Sequence, residues 1–269
     1  MRRRGFLRRL VVLAGVSTTA MTLAPLLIAR DAHAAVDPAD PRIHSEVVNY
    51  PALTGLVRAL LVRPKDTTRY PAVVVVHENL GLTRHIEDVA RRMALEGFVV
   101  LAPDLLTPLG GTPAKADRAR DRLARLNPLQ AVANAVAAVV WLKGRDDVAG
   151  RIGAAGFDWG GGIVNQMAVN SPDLTAAVAF YGEQPETADV PRIRAKMMLH
   201  YATVDDRINA GIPAFEAALE VSNISFVKHQ YDKTQHGFHN DSAGMRYNRD
   251  AAALAWRRTI QFFNENLKG

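Results

Sequence analysis

Four side chains in this sequence could do chemistry together. Residues 151–162 read RIGAAGFDWGGG. The first half has the character of a strand, and the glycines that follow fit a tight turn opening a helix. Asp158 falls in that turn, between Gly156 and Gly160. A carboxylate at such a place meets the free N–H groups and the positive end of a helix. Asp158 is therefore a candidate nucleophile, although the same residues also fit a phosphate-binding turn, a plain tight turn or a helix-capping aspartate. Asp205 lies in YATVDDRIN (201–209) and His236 in QHGF (235–238), each just past a stretch with strand character. A histidine oriented by a carboxylate is a general base. Taken singly, Asp205 reads equally as a turn or cap residue and His236 as a surface histidine. Glu78 lies in HENLGL (77–82), at the end of a valine run. It is either an exposed loop residue or a carboxylate that burial would make costly without partners.

The elements around these residues alternate. Strand character appears at 55–63, 72–77, 97–102, 152–157, 175–181, 196–201 and 225–231. The run at 72–77 is β-branched, as expected of a strand covered on both faces. Helices are expected at 83–96, 129–143, 160–170, 212–220 and 246–267. In the first of these, Ile86, Val89, Ala90, Met93 and Ala94 mark one face. Strands alternating with helices predict the α/β class, with a mostly parallel sheet flanked by helices on both faces. Asp158, Asp205, His236 and Glu78 all follow strands, and open α/β sheets place their sites at the carboxyl ends of strands. Residues 103–128, rich in proline, glycine and charge, are expected to cover the site as a lid.

The order nucleophile, acid, histidine resembles that of the α/β-hydrolase fold, where the turn carrying the nucleophile is a strained elbow. HENLGL (77–82), IEDVARR (86–92), APDL (102–105), the elbow, FYG (180–182) and QHGF (235–238) together resemble the dienelactone hydrolase family over nearly the whole chain after the leader. YATVDDRIN is similar to exported members. The resemblance implies a carboxymethylenebutenolidase-like hydrolase of small ester or lactone substrates that needs no cofactor. It implies a Cys-His-Asp triad, with Asp205 as acid and His236 as base. It also implies Glu78 as a carboxylate touching the nucleophile at rest, backbone N–H groups of Asn79 and Trp159 as the oxyanion hole, and Tyr181 and Arg207 as substrate contacts, Arg207 for a carboxylate. The nucleophile position departs from the pattern, because Asp158 stands where the family has cysteine.

That departure leaves three readings. The first is an ester or lactone hydrolase working through Asp158 by an altered route, or with His236 activating water directly. The second is an Asp-nucleophile hydrolase acting at a carbon–halogen bond or an epoxide carbon, since attack there leaves an ordinary ester on the enzyme. The third is a non-catalytic member that binds a small molecule. If Glu78 and Asp158 approach one another, both cannot ionise cheaply and one keeps a proton.

The 269 residues are 48% hydrophobic and 22% charged, ordinary for a globular chain. Residues 1–34 are expected to be a signal peptide of the twin-arginine type: a basic start with RRGFL, an apolar stretch and an AHA cleavage signal. The alternative is a permanent anchor, since 10–28 is just long enough to span a bilayer; the small residues and the cleavage signal favour removal, which leaves no stable membrane anchor and implies an exported protein, periplasmic or extracellular. Residues 35–42 read as a linker and 43–269 as one hydrolase domain. The leader holds six arginines and one aspartate, so the remainder carries 27 Lys and Arg against 26 Asp and Glu, a net of +1. That balance says little about nucleic acid, and no Lys/Arg run with interleaved aromatics remains, so the expected partner is the small-molecule substrate that the resemblance implies, with no nucleic acid. The absence of cysteine excludes disulfides and thiolate sites. His77, Glu78, His200, His236 and His239 lack recognised ligand spacing, so no metal is expected. Oligomeric state is left open.

Overall fold

The computed structural model describes residues 35–268. The expected signal peptide at 1–34 lies outside them. Eight strands form one sheet among the described residues. They are β1 (Ile43–Ala52), β2 (Gly55–Pro64), β3 (Tyr70–Val76), β4 (Val99–Pro103), β5 (Val148–Phe157), β6 (Leu174–Phe180), β7 (Lys196–Val204) and β8 (Phe226–Gln235). Their order across the sheet is β1-β2-β4-β3-β5-β6-β7-β8. The β1–β2 and β2–β4 pairings are antiparallel and the rest parallel, giving the mostly parallel sheet expected.

The helices are α1 (Arg84–Leu95), α2 (Ala116–Arg125), α3 (Pro128–Lys143), α4 (Trp159–Asn170), a single turn α5 (Asp206–Asn209), α6 (Ile212–Val221) and α7 (Arg249–Leu267). Strand alternation divides the interior into two cores. Ala72, Val74 and Val76 of β3 face one core with Ala135 and Val139 of α3, Val164 and Met167 of α4 and Phe215 of α6. Val73 and Val75 face the other, with Ile86, Val89 and Met93 of α1 and Trp256 and Phe263 of α7. Helices therefore cover both faces. Local chemistry sets two helix starts: Asn127 accepts from the N–H groups of Leu129 and Gln130 ahead of α3, and Asn248 accepts from Ala251 ahead of α7.

Three details differ from the sequence reading. Strand β1 was not expected; it is an edge strand paired only with β2, and of its ten residues only Ile43 and Tyr50 are buried. The closing helix begins at Arg249 rather than 246, because Asn248 caps it. Residues 103–128 are partly regular, with a 3₁₀ turn at Thr107–Leu109 followed by α2. In the segment at 35–42, the Val36 N–H donates to Asp88 of α1 at 2.6 Å.

Helix α7 closes the second core through Phe263, which has no exposed surface and meets Phe98 edge-on with ring centroids 6.0 Å apart. Gly153 makes the room: a Cβ there would come within 2.8 Å of the Phe263 ring. Replacing Phe263 with alanine is expected to lower the unfolding free energy by about 3–5 kcal/mol, measured by urea denaturation.

Candidate active site

Asp158 sits between β5 and α4 with φ 51° and ψ −118°, a conformation side chains rarely adopt. The turn is possible because its surroundings lack side chains. A Cβ on Gly156 would lie 2.1 Å from the Gly160 carbonyl oxygen, and one on Gly160 would lie 2.3 Å from that of His77. A Cβ on Gly161 would lie 2.6 Å from the Phe180 oxygen. The Asp158 N–H donates to Phe180 at 3.1 Å, tying the elbow to β6. The Asp158 side chain makes no cap hydrogen bond to α4, so the capping alternative does not describe it.

The strand order explains the rest of the site. Strands β3, β5, β6, β7 and β8 are successive neighbours, and the residues beyond their carboxyl ends share one edge. Asp205 follows β7 and starts α5, accepting from the Ile208 N–H. His236 follows β8. Its Nδ1 lies 2.6 Å from Asp205 Oδ2 and its Nε2 lies 2.7 Å from Asp158 Oδ1. Both ring nitrogens thus face carboxylate oxygens, which accept when ionised, so the geometry fits an imidazolium donating twice. Burial works against a charge on His236, but its hydrogen bonds to Asp158 and Asp205 outweigh this and raise its pKa. Burial likewise opposes charge on Asp158. The hydrogen bond and charge of His236 prevail there, with the Trp159 N–H and Arg207 adding, and its pKa falls below the ordinary value.

Glu78 behaves oppositely. It is buried in the loop after β3, and desolvation pushes its pKa up, with the Asp158 charge adding to the rise while His85 and Asn240 oppose it. Of the two carboxylates, Glu78 therefore holds its proton to the higher pH. Asn240 donates its side-chain amide to Glu78 Oε2. His77 fixes the loop: its Nδ1 lies 2.7 Å from the Glu78 carbonyl oxygen and its Nε2 accepts from the Leu105 N–H at 3.1 Å. Complete burial and these two bonds suit a neutral ring, which stacks on Trp159 at 5.3 Å. The sequence reading missed both supports. Asn240 carries one signal that could have found it, four residues after His236 in HGFHN, but Glu78 is 162 residues away.

A cavity of about 960 Å³ opens over the elbow, bordered by Asn79, Asp158, Trp159 and Arg207. Arg207 is 63% exposed, with Nη2 3.7 Å from Asp158 Oδ1. Tyr181 corrects the expectation of a substrate contact. It has no exposed surface and packs against His236, ring centroids 4.9 Å apart, with φ 38° at Tyr181 just after β6. Among the described residues, no group of three or more His, Cys, Asp or Glu side chains could hold a metal ion.

A mostly parallel sheet with a strained elbow after β5 and a histidine after its last strand defines an α/β hydrolase. Residues 57–267 match the dienelactone hydrolase family, and the chain belongs to that family of hydrolases. It is 28% identical over 244 residues to a candidate carboxymethylenebutenolidase of Synechocystis, covering 84% of this chain and 98% of the relative. It is 48% identical over 92 residues to a candidate hydrolase fragment, YghX, of Escherichia coli, covering 33% of this chain and 79% of the fragment. The crystal structure of a candidate dienelactone hydrolase from Klebsiella pneumoniae superposes with a TM-score of 0.74 at 25% identity, over 83% of this chain and 99% of that one.

The ion pair predicts a pH signature. His236 has a raised folded pKa, so its contribution to stability is full below the ordinary 6.5 and is lost as pH rises through the folded value. Asp158 has a lowered folded pKa, so its contribution is full above the ordinary 3.8 and is lost as pH falls through the folded value. Asp158→Asn is therefore expected to lower the urea midpoint more at pH 5 than at pH 9, the two contributions overlapping between 3.8 and 6.5. The His236 ring, followed by NMR, should titrate at lower pH in the variant.

Proposed function

We propose that the chain hydrolyses small ester or lactone substrates, with Asp158 as nucleophile, His236 as acid and then base, and Asp205 as the residue that orients His236. One observation carries this reading: Asp158, His236 and Asp205 stand in line at 2.7 and 2.6 Å beneath an open cavity. In the resting site Asp158 is already a carboxylate and needs no base to activate it. Its attack on the substrate carbonyl carbon forms a tetrahedral oxyanion, which the N–H groups of Asn79 and Trp159 are suited to receive. The imidazolium then passes its Nε2 proton to the departing alkoxide as the carbon–oxygen bond breaks, leaving an acyl anhydride on Asp158. Neutral His236 next takes a proton from water, which attacks the anhydride. The acid product leaves, and the carboxylate–imidazolium pair is restored. Asp205 favours the charged ring throughout.

A cationic His236 at rest suits an oxygen leaving group that must gain a proton, as an ester or lactone provides. A second reading draws on the ionised state of Asp158, favoured while Glu78 keeps the proton: attack at an epoxide carbon, or at carbon bearing halogen, forming an ordinary ester on Asp158. The epoxide fits better than the halide, since its alkoxide also needs a proton. The same proposal takes residues 1–34 as a cleaved twin-arginine leader and the mature hydrolase as exported.

The test incubates residues 35–269 with an aryl ester, a dienelactone, an epoxide and a haloacid while intact mass and products are followed. Ester or lactone turnover is expected. It should be abolished in Asp158→Asn and reduced about 10²- to 10⁴-fold in His236→Ala. Ester turnover that survives in Asp158→Asn but not in His236→Ala would remove the covalent role and leave water activation by His236. An alkyl ester on Asp158, formed with halide loss or from the epoxide and then hydrolysed to the alcohol or diol, moves the chain to the second reading.

A further inference from the structure

Four glycines surround the elbow, and packing demands only three of them. A Cβ on Gly156, Gly160 or Gly161 would lie 2.1 to 2.6 Å from backbone atoms. Gly162 is different. Beyond its own helix turn, a Cβ there would meet nothing nearer than 3.5 Å, at Glu183, which is ordinary contact. Its φ is not positive either, so the backbone needs no glycine. Its N–H donates to the Asp158 carbonyl at 3.2 Å, in the first turn of α4. Glycine at such a helical position is less stable than alanine, because it loses more freedom on folding. The fold therefore gives position 162 no reason to be bare.

The cavity over the elbow supplies one. Trp159, Gly162, Ile163, Gln166 and Asn170 border it, and their spacing of three and four marks one face of α4. Gly162 is the one residue of that face without a side chain, in the turn next to Asp158. Ile163, with Val132 and Val136 of α3, makes the neighbouring border apolar. The leaving oxygen of an ester must reach His236 Nε2 to gain its proton, and His236 does not border the cavity. Asp158 does, and its Oδ1 lies 2.7 Å from that nitrogen. The scissile carbonyl therefore stands at the edge of the cavity, its leaving oxygen turned toward His236 and its acyl group turned inward. An acyl group that branches at the carbon beside the carbonyl is widest where Gly162 is bare.

We propose that Gly162 sets the acyl specificity of this site, leaving room beside Asp158 for esters whose acyl group is apolar and branched at the carbon next to the carbonyl, such as 2-arylpropanoates, in preference to acetates. The proposal rests on the hydrolase reading for turnover, but the fit of the acyl group applies to binding alone. The branch occupies the space over Gly162, and the apolar body lies against Ile163, Val132 and Val136. A methyl group added at 162 is tolerated by the fold and takes space from the branch.

Kinetics on residues 35–269 with 4-nitrophenyl 2-phenylpropanoate and 4-nitrophenyl acetate test the preference. In Gly162→Ala the ratio of kcat/KM, branched ester over acetate, is expected to fall about tenfold or more, the usual effect of one methylene-sized group in a pocket. The urea midpoint of the same variant should rise, since alanine suits a helix better than glycine. Gly162→Leu should lower the ratio further. Calorimetry with 2-phenylpropanamide, which has no ester, reads the fit without turnover. The unaltered chain is expected to bind it about tenfold more tightly than acetamide, through apolar burial, and Gly162→Leu to lose that margin. A lower urea midpoint in Gly162→Ala, or amide binding indifferent to Gly162→Leu, would overturn the proposal. Turnover of both esters with the ratio unchanged in both variants keeps the hydrolase mechanism and overturns the acyl preference. Amide binding that is lost in Gly162→Leu, with neither ester turned over, sinks the mechanism and leaves the acyl fit standing.

Discussion

Helix α4 can begin where it does only because the backbone around its first turn is bare of side chains. Gly156 lies under Gly160, Gly160 against the carbonyls of β3 and the His77 loop, and Gly161 against Phe180 and Gly182. A methyl group at any of these would meet backbone within 2.1 to 2.6 Å, and backbone has little freedom to yield. This crowding drives the helix end into the gap between β3 and β6 and holds Asp158 at positive φ, a strain of order 1–3 kcal/mol that packing on both sides sustains. Every distance in the site follows from it. His236 and Asp205 arrive on ordinary loops after neighbouring strands, but they meet Asp158 only because the elbow lifts it to their level.

The carboxylates at this edge are then sorted by their neighbours. Asp158 faces an imidazolium, a guanidinium and the first N–H of a helix, so ionisation is favoured despite its burial. Glu78 is more deeply enclosed, and the nearest firm partner is the neutral amide of Asn240. Burial therefore decides the matter for Glu78 and pairing decides it for Asp158. Two acids in one cleft thus have their pKa values pushed in opposite directions. His77, bonded at both nitrogens, ties the Glu78 loop to the segment that starts at Leu105.

Much of this was legible in the residues. The valine run of β3, the spacing of Ile86, Val89 and Met93, and the glycines around Asp158 each report a local constraint, and local constraints survive in a sequence. Strand β1 was not legible, because an edge strand with one partner buries little: IHSEVVNYPA shows no run and no clean alternation. Tyr181 was misplaced for a different reason. Its neighbours suggest a loop at the site, but whether its ring faces the cavity or the interior depends on a backbone twist that FYG does not specify. Asn240 and His77 were missed because their partners are chosen by how the loops close. Chain order suggested that Asp158, Asp205 and His236 meet; only the fold supplies the distances and the resulting ion pair.

The residues bordering the cavity include neither cysteine nor methionine, and the chain has no cysteine at all. A thiolate at an elbow is exposed to peroxide and climbs toward sulfenic and sulfinic acids, and it reacts with alkylating agents and with disulfides. A carboxylate has no such ladder. Whatever reactivity Asp158 gives up by not being sulfur, its place at the elbow makes this cleft indifferent to oxidants and thiol reagents that would silence a cysteine there.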